Sequence, residues 1–206
     1  MNKKQPSSSQ IEQAVSILKQ GGIVAHPTDT CYGLAVDIHN PAALLHLYHT
    51  KGMDLSKPVS ILTASLKEAQ KYAQFSDLAL RLVKQFWPGA LTLVLPRKSV
   101  LPFFLNSDES FVGLRCIDEP FSVALLQAWG GPVTTTSANF HGKSSPYAVR
   151  DISVQPDFIL DAGDIPVRMP STIIRIDDEN VNLLRSGDLD EAVFEFLSRE
   201  GVEMES

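Results

Sequence analysis

Short apolar runs rich in β-branched residues alternate with amphipathic segments along most of this chain, and that alternation restricts the folds open to it. Five runs have the brevity and turn-bounded ends of buried strands: 23–25, 59–62, 91–95, 111–115 and 133–136. Helical periodicity predicts helices between them, at 9–20, 40–48, 76–86 and 119–129. Strands separated by helices predict an α/β fold in which helices pack on a sheet.

The C-terminal third departs from one strand per helix. Residues 173–176 and 181–184 flank Asp177-Asp178-Glu179-Asn180, a turn signal that predicts a hairpin. Residues 140–156 are expected to form a long loop, and long loops in compact domains are often functional. We therefore predict a twisted sheet of mixed parallel and antiparallel strands with flanking helices, rather than a strictly parallel sheet.

Pairs of side chains three residues apart predict where the first and last helices begin. Ser9 and Glu12 have the spacing of a capping box, and Asp188 and Glu191 have the same spacing near the C-terminus. Both helices should therefore start at the first residue of each pair.

The length of 206 residues favours a single domain, placed at 9–199, with 1–8 and 200–206 expected to be flexible tails. No apolar run reaches the ~18 residues of a membrane span, and the polar N-terminus does not resemble a secretory signal. Cys31 and Cys116 form no CxxC pair, which argues against a zinc ribbon or a disulfide framework. We expect a cytoplasmic protein with no membrane contact, and we favour two separate core thiols over the alternative of a single buried disulfide.

The formal net charge of −6 is concentrated near the C-terminus. Residues 188–206 contain seven acidic residues and one basic residue, whereas residues 1–187 are balanced. Residues 51–100 carry eight bases against three acids, which form either a solvated face or a site for anionic groups such as phosphate. The overall charge does not favour a dedicated nucleic-acid binder.

Several widespread catalytic motifs are missing from the sequence. It contains no GxxxxGK[ST], no GxGxxG after a strand and no HExxH. His46 and His49 share one face of a predicted helix, but no acidic or sulfur ligand lies near them, so they are interpreted as surface residues rather than a metal site. Ser137 and His141 lack the G-x-S-x-G elbow of hydrolases.

Small polar residues collect where the predicted strands end, in the segments 26–34, 51–58, 134–139 and 171–172. Ligands bind at the carboxyl ends of strands in α/β sheets. Hydroxyls, backbone N–H groups and two lysines suit a ligand rich in phosphate and carboxylate oxygens. Each segment alone could be ordinary turn chemistry, but their combination predicts a concave ligand cleft.

Seven short motifs follow one another along residues 10–190: Pro27-Thr28-Asp29-Thr30-x-Tyr32-Gly33-Leu34, Lys51-Gly52-x-x-x-Ser56-Lys57-Pro58, Phe86-Trp87-Pro88-Gly89-x-Leu91-Thr92-Leu93, Val112-Gly113-Leu114-Arg115, Thr136-Ser137-Ala138-Asn139, Ser171-Thr172-Ile173-Ile174 and Arg185-x-Gly187. In this order they resemble the YrdC/Sua5 family of threonylcarbamoyl-AMP synthases, in its short single-domain form. The resemblance implies a single YrdC-like domain.

The resemblance further implies a transferase of the nucleotidyltransferase class that acts in tRNA modification. Such enzymes use L-threonine, bicarbonate and ATP. The threonine amine takes up carbon dioxide, the resulting carbamate attacks the α-phosphorus of ATP, and pyrophosphate leaves. Mg²⁺ would arrive with ATP rather than sit in a protein cage. The product would pass to partner proteins that modify adenosine 37 of ANN-decoding tRNAs, and contact with RNA is also implied.

Site residues are implied by the same resemblance. The L-threonine site would comprise Thr30, Arg115, Thr135 and Ser171. The ATP site would comprise Lys57, Ser137, Asn139, Ser145 and Arg185. Lys51, from the family's Lys-x-Arg motif, would be catalytic by stabilising charge at the α-phosphate, and no protein-bound metal is implied. Arg115 lies at a predicted strand end and offers a bidentate partner for a carboxylate.

One position departs from the family pattern, because Lys-x-Arg reads Lys51-Gly52-Met53 here. Loss of one charged contact to a transition state commonly costs ~2.7–4 kcal/mol, or about 10²–10³ in rate. Three interpretations remain open: a weakened synthase, a synthase in which another base substitutes, or a paralog with altered activity. The alternative function is a non-catalytic module that binds RNA or nucleotide through the same basic cleft.

Overall fold

A computed structural model describes residues 5–106, 110–178 and 180–205, and within these ranges the chain forms ten strands and six α-helices. The strands are β1 (Val24–Pro27), β2 (Tyr32–Ala35), β3 (Ser60–Leu62), β4 (Leu91–Pro96), β5 (Phe111–Arg115), β6 (Val133–Ser137), β7 (Phe158–Ile159), β8 (Thr172–Asp177), β9 (Asn180–Arg185) and β10 (Met204–Glu205). The helices are α1 (Ser8–Lys19), α2 (Pro41–Lys51), α3 (Leu66–Ala69), α4 (Asp77–Phe86), α5 (Pro120–Trp129) and α6 (Asp190–Arg199). No helix of the described residues is both long and apolar enough to cross a membrane.

All ten strands belong to one sheet, in the order β10-β9-β8-β4-β5-β3-β6-β2-β1-β7. β4 pairs in parallel with β8 and antiparallel with β5. β3 pairs in parallel with β5 and antiparallel with β6. The predicted mixed sheet is therefore confirmed, and the predicted hairpin is formed by β8 and β9.

Two hydrophobic clusters pack on the two faces of the sheet. The larger cluster joins the sheet to α2, α4 and α6, and the smaller joins it to α1 and α5. Alternate side chains of a strand share a face. Leu62 belongs to the smaller cluster, so Ser60 faces the same side of β3. This side is open beyond α1 and α5, and the open area is where the candidate site lies.

Both predicted capping pairs were wrong. α1 is capped by Ser7, whose hydroxyl accepts from the Gln10 N–H at 3.2 Å while the Gln10 side chain accepts from the Ser7 N–H at 3.0 Å. Ser7–Gln10 and Ser9–Glu12 both match the capping pattern, and the pattern alone does not choose between the two frames. α6 begins at Asp190, not Asp188.

Asp190 uses its carboxylate outside the usual capping pattern. Its Oδ1 accepts from the Thr172 hydroxyl at 2.6 Å and from the Gly187 N–H at 2.7 Å. These bonds tie the start of α6 to the first residue of β8, and they hold the turn that follows β9.

β2 was predicted as part of a loop at 26–34. All four of its residues are buried, so it lacks the alternation of apolar and polar residues that marks a half-buried strand. Part of the predicted tail 200–206 is also a strand, since β10 pairs with β9 and Val202 packs against the larger cluster. Residues 1–4 and 206 of the predicted tails lie outside the described residues.

Candidate active site

A cleft opens on the uncovered side of the sheet, where the ends of several strands meet. Most of its wall consists of hydroxyl and cationic side chains: Thr28, Thr30, Ser60, Thr92, Arg115, Thr135, Thr136, Ser137, Ser145, Ser171 and Arg185. Apolar contacts are few, chiefly Pro58, Val59, Pro170 and Ile173. A wall rich in donors suits a polar or anionic ligand.

Arg115, at the end of β5, holds its guanidinium in a fixed position within the wall. Its Nη2 lies 2.5 Å from the Asp29 carboxylate, and both terminal nitrogens lie 3.1 Å from the Thr30 hydroxyl. Burial lowers the pKa of Arg115 and raises the pKa of Asp29, while the charge of each opposes the shift of the other. Because Nη2 already has two partners and Nη1 has only Thr30 among the described residues, Nη1 retains one N–H for a ligand.

A neighbouring part of the wall is built around Ser171, the residue before β8. Arg185 donates from Nε and Nη2 to the Ser171 carbonyl, and from Nη2 to the Ser171 hydroxyl at 2.8 Å. Burial and the charge of Arg115 lower the pKa of Arg185. The Thr92 hydroxyl lies 2.8 Å from the Ser171 hydroxyl.

Two glycines of the motifs allow close approach in and beside this wall. A Cβ on Gly113 would lie 2.3 Å from the Ser60 hydroxyl, and a Cβ on Gly187 would lie 2.3 Å from the Pro170 carbonyl. Any other residue would move Ser60 or Pro170, both of which line the cleft.

Lys51 lies behind the wall rather than on it. It is the last residue of α2 and is buried, and its ammonium donates to the Asn139 carbonyl at 2.8 Å and to the Ser137 carbonyl. Burial lowers the pKa of Lys51 to about 8. The ammonium therefore holds the end of β6 and the Ser-Ala-Asn turn from the inner side.

The ten predicted site residues occupy three positions relative to the cleft. Seven line the cleft: Thr30, Arg115, Thr135, Ser137, Ser145, Ser171 and Arg185. Lys51 and Asn139 lie behind it, both buried, and Lys57 is exposed beside Pro58 at the rim. The Asn139 side chain donates to the Lys143 carbonyl, and its Oδ1 has no hydrogen-bond partner among the described residues.

Thr28, Asp29 and Thr136 lie in the segments that predicted the cleft but had no individual role: Thr28 and Thr136 line it, and Asp29 pairs with Arg115. Ser60 and Thr92 line the cleft and lie outside those segments. Thr92 belongs to a quoted motif, which was the available signal, whereas Ser60 belongs to none. Cys31 was expected in the core but lines the cleft, and both cysteines are free.

Met53 has an apolar environment. Its N–H donates to the Tyr48 carbonyl at 2.9 Å, and its side chain packs against the larger cluster. Gly52, with φ of +57°, makes the left-handed turn that ends α2. The third residue of the altered motif thus packs on the core in this chain.

Across the described ranges, no three His, Cys, Asp or Glu side chains come together as a metal site. His46, one of the two helical histidines, is half exposed, with Nδ1 3.9 Å from the Asp157 carboxylate.

Comparisons with known proteins give a consistent result. The profile of the Sua5–YciO–YrdC family, described as "Telomere recombination", matches residues 16–187. A Bacillus subtilis relative named threonylcarbamoyl-AMP synthase is 33% identical over 86% of this chain and 53% of its own length. An Aliivibrio fischeri relative of the same name is 31% identical over 86% of this chain and 98% of its own length.

A solved structure also resembles the chain closely. The crystal structure of P. abyssi Sua5 complexed with L-threonine matches with a TM-score of 0.88 at 27% identity. The match covers 98% of this chain and 60% of the P. abyssi chain. The chain thus spans about half to two thirds of some relatives and nearly all of the A. fischeri relative.

Proposed function

This chain is a member of the Sua5–YciO–YrdC family, and we propose that it is a threonylcarbamoyl-AMP synthase acting on L-threonine, bicarbonate and ATP. One observation carries the proposal: a single cleft holds two arginines, Arg115 bound to Thr30 and Arg185 bound to Ser171, with a hydroxyl-bearing strand end, Thr135 to Ser137, in the same wall. Two anionic substrates require such a pair of cationic centres. Relatives that share the family carry the synthase name.

The amino acid occupies the Arg115 side of the cleft. The open Nη1–H of Arg115 donates to its carboxylate, and hydroxyls of Thr30, Thr135 and Ser171 complete the contacts. A site built to bind a hydroxyl rejects an analogue that lacks it. L-Serine keeps the hydroxyl, so its discrimination depends on the methyl group alone and is weaker.

ATP, with Mg²⁺ as part of the substrate, occupies the side formed by Ser137, Ser145 and Arg185, with Lys57 at the rim. The carbamate formed on the threonine amine attacks the α-phosphorus, and pyrophosphate departs. The protein's contribution is positioning and charge stabilisation, as in other transfers of phosphorus groups. Lys51 and Asn139 act from behind the wall, where the Lys51 ammonium polarises the Ser137 carbonyl region and fixes its geometry.

The downstream role is part of the same proposal. Formation of an adenylate from ATP is nucleotidyltransferase chemistry. The adenylate product is then consumed by partner proteins that transfer the threonylcarbamoyl group to tRNA. The alternative, a non-catalytic module that binds RNA or nucleotide, is favoured by the basic stretch 51–100 and by the missing motif arginine at Met53.

The proposal is tested by pyrophosphate release from ATP, Mg²⁺ and bicarbonate, with L-threonine, with L-serine and with no amino acid. Release that depends on L-threonine supports the synthase. ATP and L-threonine together should also raise the thermal midpoint more than either alone, because both bind the folded state. RNA binding without pyrophosphate release would support the alternative.

Met53→Arg is expected to raise threonine-dependent pyrophosphate release. The long stem can follow the apolar surface that Met53 covers, while the guanidinium reaches polar surroundings. A planar cation with five donors suits a phosphorus transition state better than a thioether does. Met53→Gln is the matched control without charge, and equal or lower activity of Met53→Arg would show that this turn does not serve the phosphates.

A further inference from the structure

We propose that Thr92 is a positioning residue that sets the direction of the Ser171 hydroxyl proton, so that Ser171 donates its hydrogen bond to the carboxylate of the amino acid. The inference rests on the proposed function for the identity of that amino acid. Thr92 would act through Ser171.

The strand pattern places Thr92 on the cleft side of β4. Leu91, Leu93 and Leu95 belong to the larger cluster on the other face. Because strand side chains alternate, Thr92 points away from that cluster. It lines the cleft, yet only 3% of its surface is exposed.

The number of hydrogen bonds that the Ser171 hydroxyl can make limits its possible orientations. A serine hydroxyl has one proton and two lone pairs. Arg185 can only donate, so its Nη2 occupies one lone pair of the Ser171 hydroxyl. The Thr92 hydroxyl, 2.8 Å away, either donates to the second lone pair or accepts the serine proton.

The two directions are not equivalent. If Ser171 donated to Thr92, the Ser171 oxygen would present only a lone pair to the cleft and could not bond the carboxylate of the amino acid, which accepts but cannot donate. If Thr92 donates instead, both lone pairs of Ser171 are filled and its proton is directed into the cleft.

This arrangement suits a carboxylate for two reasons. An ionised carboxylate accepts hydrogen bonds and cannot donate them. In addition, two donors acting on the Ser171 oxygen polarise its O–H group, and a polarised hydroxyl is a stronger donor. Thr92 therefore makes Ser171 selective for an acceptor-only group at this point of the cleft.

The test compares Thr92→Val, which keeps the branched shape but removes the hydroxyl, with Thr92→Ser, which keeps the hydroxyl. Titration calorimetry on the full chain measures Kd for L-threonine and, separately, for Mg·ATP. We expect Thr92→Val to raise Kd for L-threonine roughly fivefold, the equivalent of one neutral hydrogen bond. Kd for Mg·ATP should stay within about twofold, and Thr92→Ser should restore L-threonine binding to within about twofold of the natural chain.

A double-mutant cycle distinguishes action through Ser171 from a role of Thr92 in packing. In a Ser171→Ala background, Thr92→Val should leave Kd for L-threonine unchanged, because Thr92 acts through the Ser171 hydroxyl. The thermal midpoint of each variant verifies folding, and Thr92→Ala carries the same expectation if Thr92→Val does not fold.

Three results would overturn the inference: an unchanged Kd in Thr92→Val, equal losses in Thr92→Val and Thr92→Ser, or an effect of Thr92→Val that persists in Ser171→Ala. A natural chain that binds L-threonine but releases no pyrophosphate would contradict the proposed function while the Kd series still decides the role of Thr92. A natural chain that binds no L-threonine would overturn both.

Discussion

Replacing Lys51 with methionine is expected to lower kcat for threonine-dependent pyrophosphate release by about 10²–10³, the range for removing one preorganised polar group of an active site. Methionine keeps an unbranched apolar stem in the buried position and removes only the ammonium. That ammonium binds the Ser137 and Asn139 carbonyls at the end of β6, so its loss removes both charge and support behind the cleft. Kd for L-threonine, which lies on the Arg115 side, should change by less than about threefold.

The pH dependence of the same residue provides a control that does not depend on turnover. The folded chain releases the Lys51 proton near pH 8, whereas an unfolded lysine releases it near 10.4. Between these values the unfolded chain binds more protons, so the free energy of unfolding of the natural chain should rise with pH relative to Lys51→Met. As the pH rises through about 8, kcat of the natural chain should also fall, because the neutral Lys51 amine no longer supplies positive charge.

Two observations would contradict this view of Lys51. One is a kcat of Lys51→Met within about threefold of the natural chain, since removal of a preorganised charge that supports the cleft should cost far more. The other is a stability difference that does not change from pH 7 to pH 10, since that would place the ammonium in water in the folded chain.

Arg115→Gln is expected to weaken L-threonine binding by about 100-fold, because hydrogen bonds to charged groups contribute ~1.5–3 kcal/mol each. Mg·ATP binding should change by less than about threefold if the nucleotide lies on the Arg185 side. The measurement is calorimetric titration with each ligand. A loss confined to Mg·ATP would reverse the assignment of the two halves of the cleft.

The stability of this variant needs a matched control, since Arg115 is 6% exposed and pairs with Asp29. Removing one partner of a buried ion pair costs ~3–5 kcal/mol, because the other charge is left unpaired. The double variant Asp29→Asn with Arg115→Gln removes both charges and should regain most of that stability. It should not regain L-threonine binding, which separates the ligand contact from the structural pair.

Elements whose signals are local could be predicted from the sequence. β5 was predicted at its observed bounds, because Phe111–Arg115 is a short and largely apolar run. α5 begins where the Glu119-Pro120 pair indicates. β2 could not be predicted, because Tyr32–Ala35 is buried throughout and contains no β-branched residue, so neither alternation nor composition marks it as a strand. The start of α1 failed for a different reason, since two overlapping serine frames satisfy one capping pattern.

The site residues could be predicted from the sequence motifs, whereas the contacts between them could not. The resemblance brought Thr30, Arg115, Thr135, Ser137, Ser145, Ser171 and Arg185 to one place, and the structure puts them on one wall. The pairing of Arg115 with Asp29 joins residues 86 positions apart, and no local pattern specifies it. The same is true of the contact between Thr92 and Ser171, which depends on the register of β4 with β8.

The parallel pairing of β4 with β8 determines when the cleft can form during synthesis of the chain. Leu91 pairs with Thr172, so the central strand waits for a neighbour synthesised about 80 residues later. Non-local pairings of this kind slow folding, because a long loop must close before its contacts form. Ser171 immediately precedes β8 and Arg185 ends β9, so the cleft of a nascent chain lacks both residues until most of the sequence has been synthesised. Ligand affinity is therefore a property of the finished chain, and capture of L-threonine during refolding would report the final step of assembly.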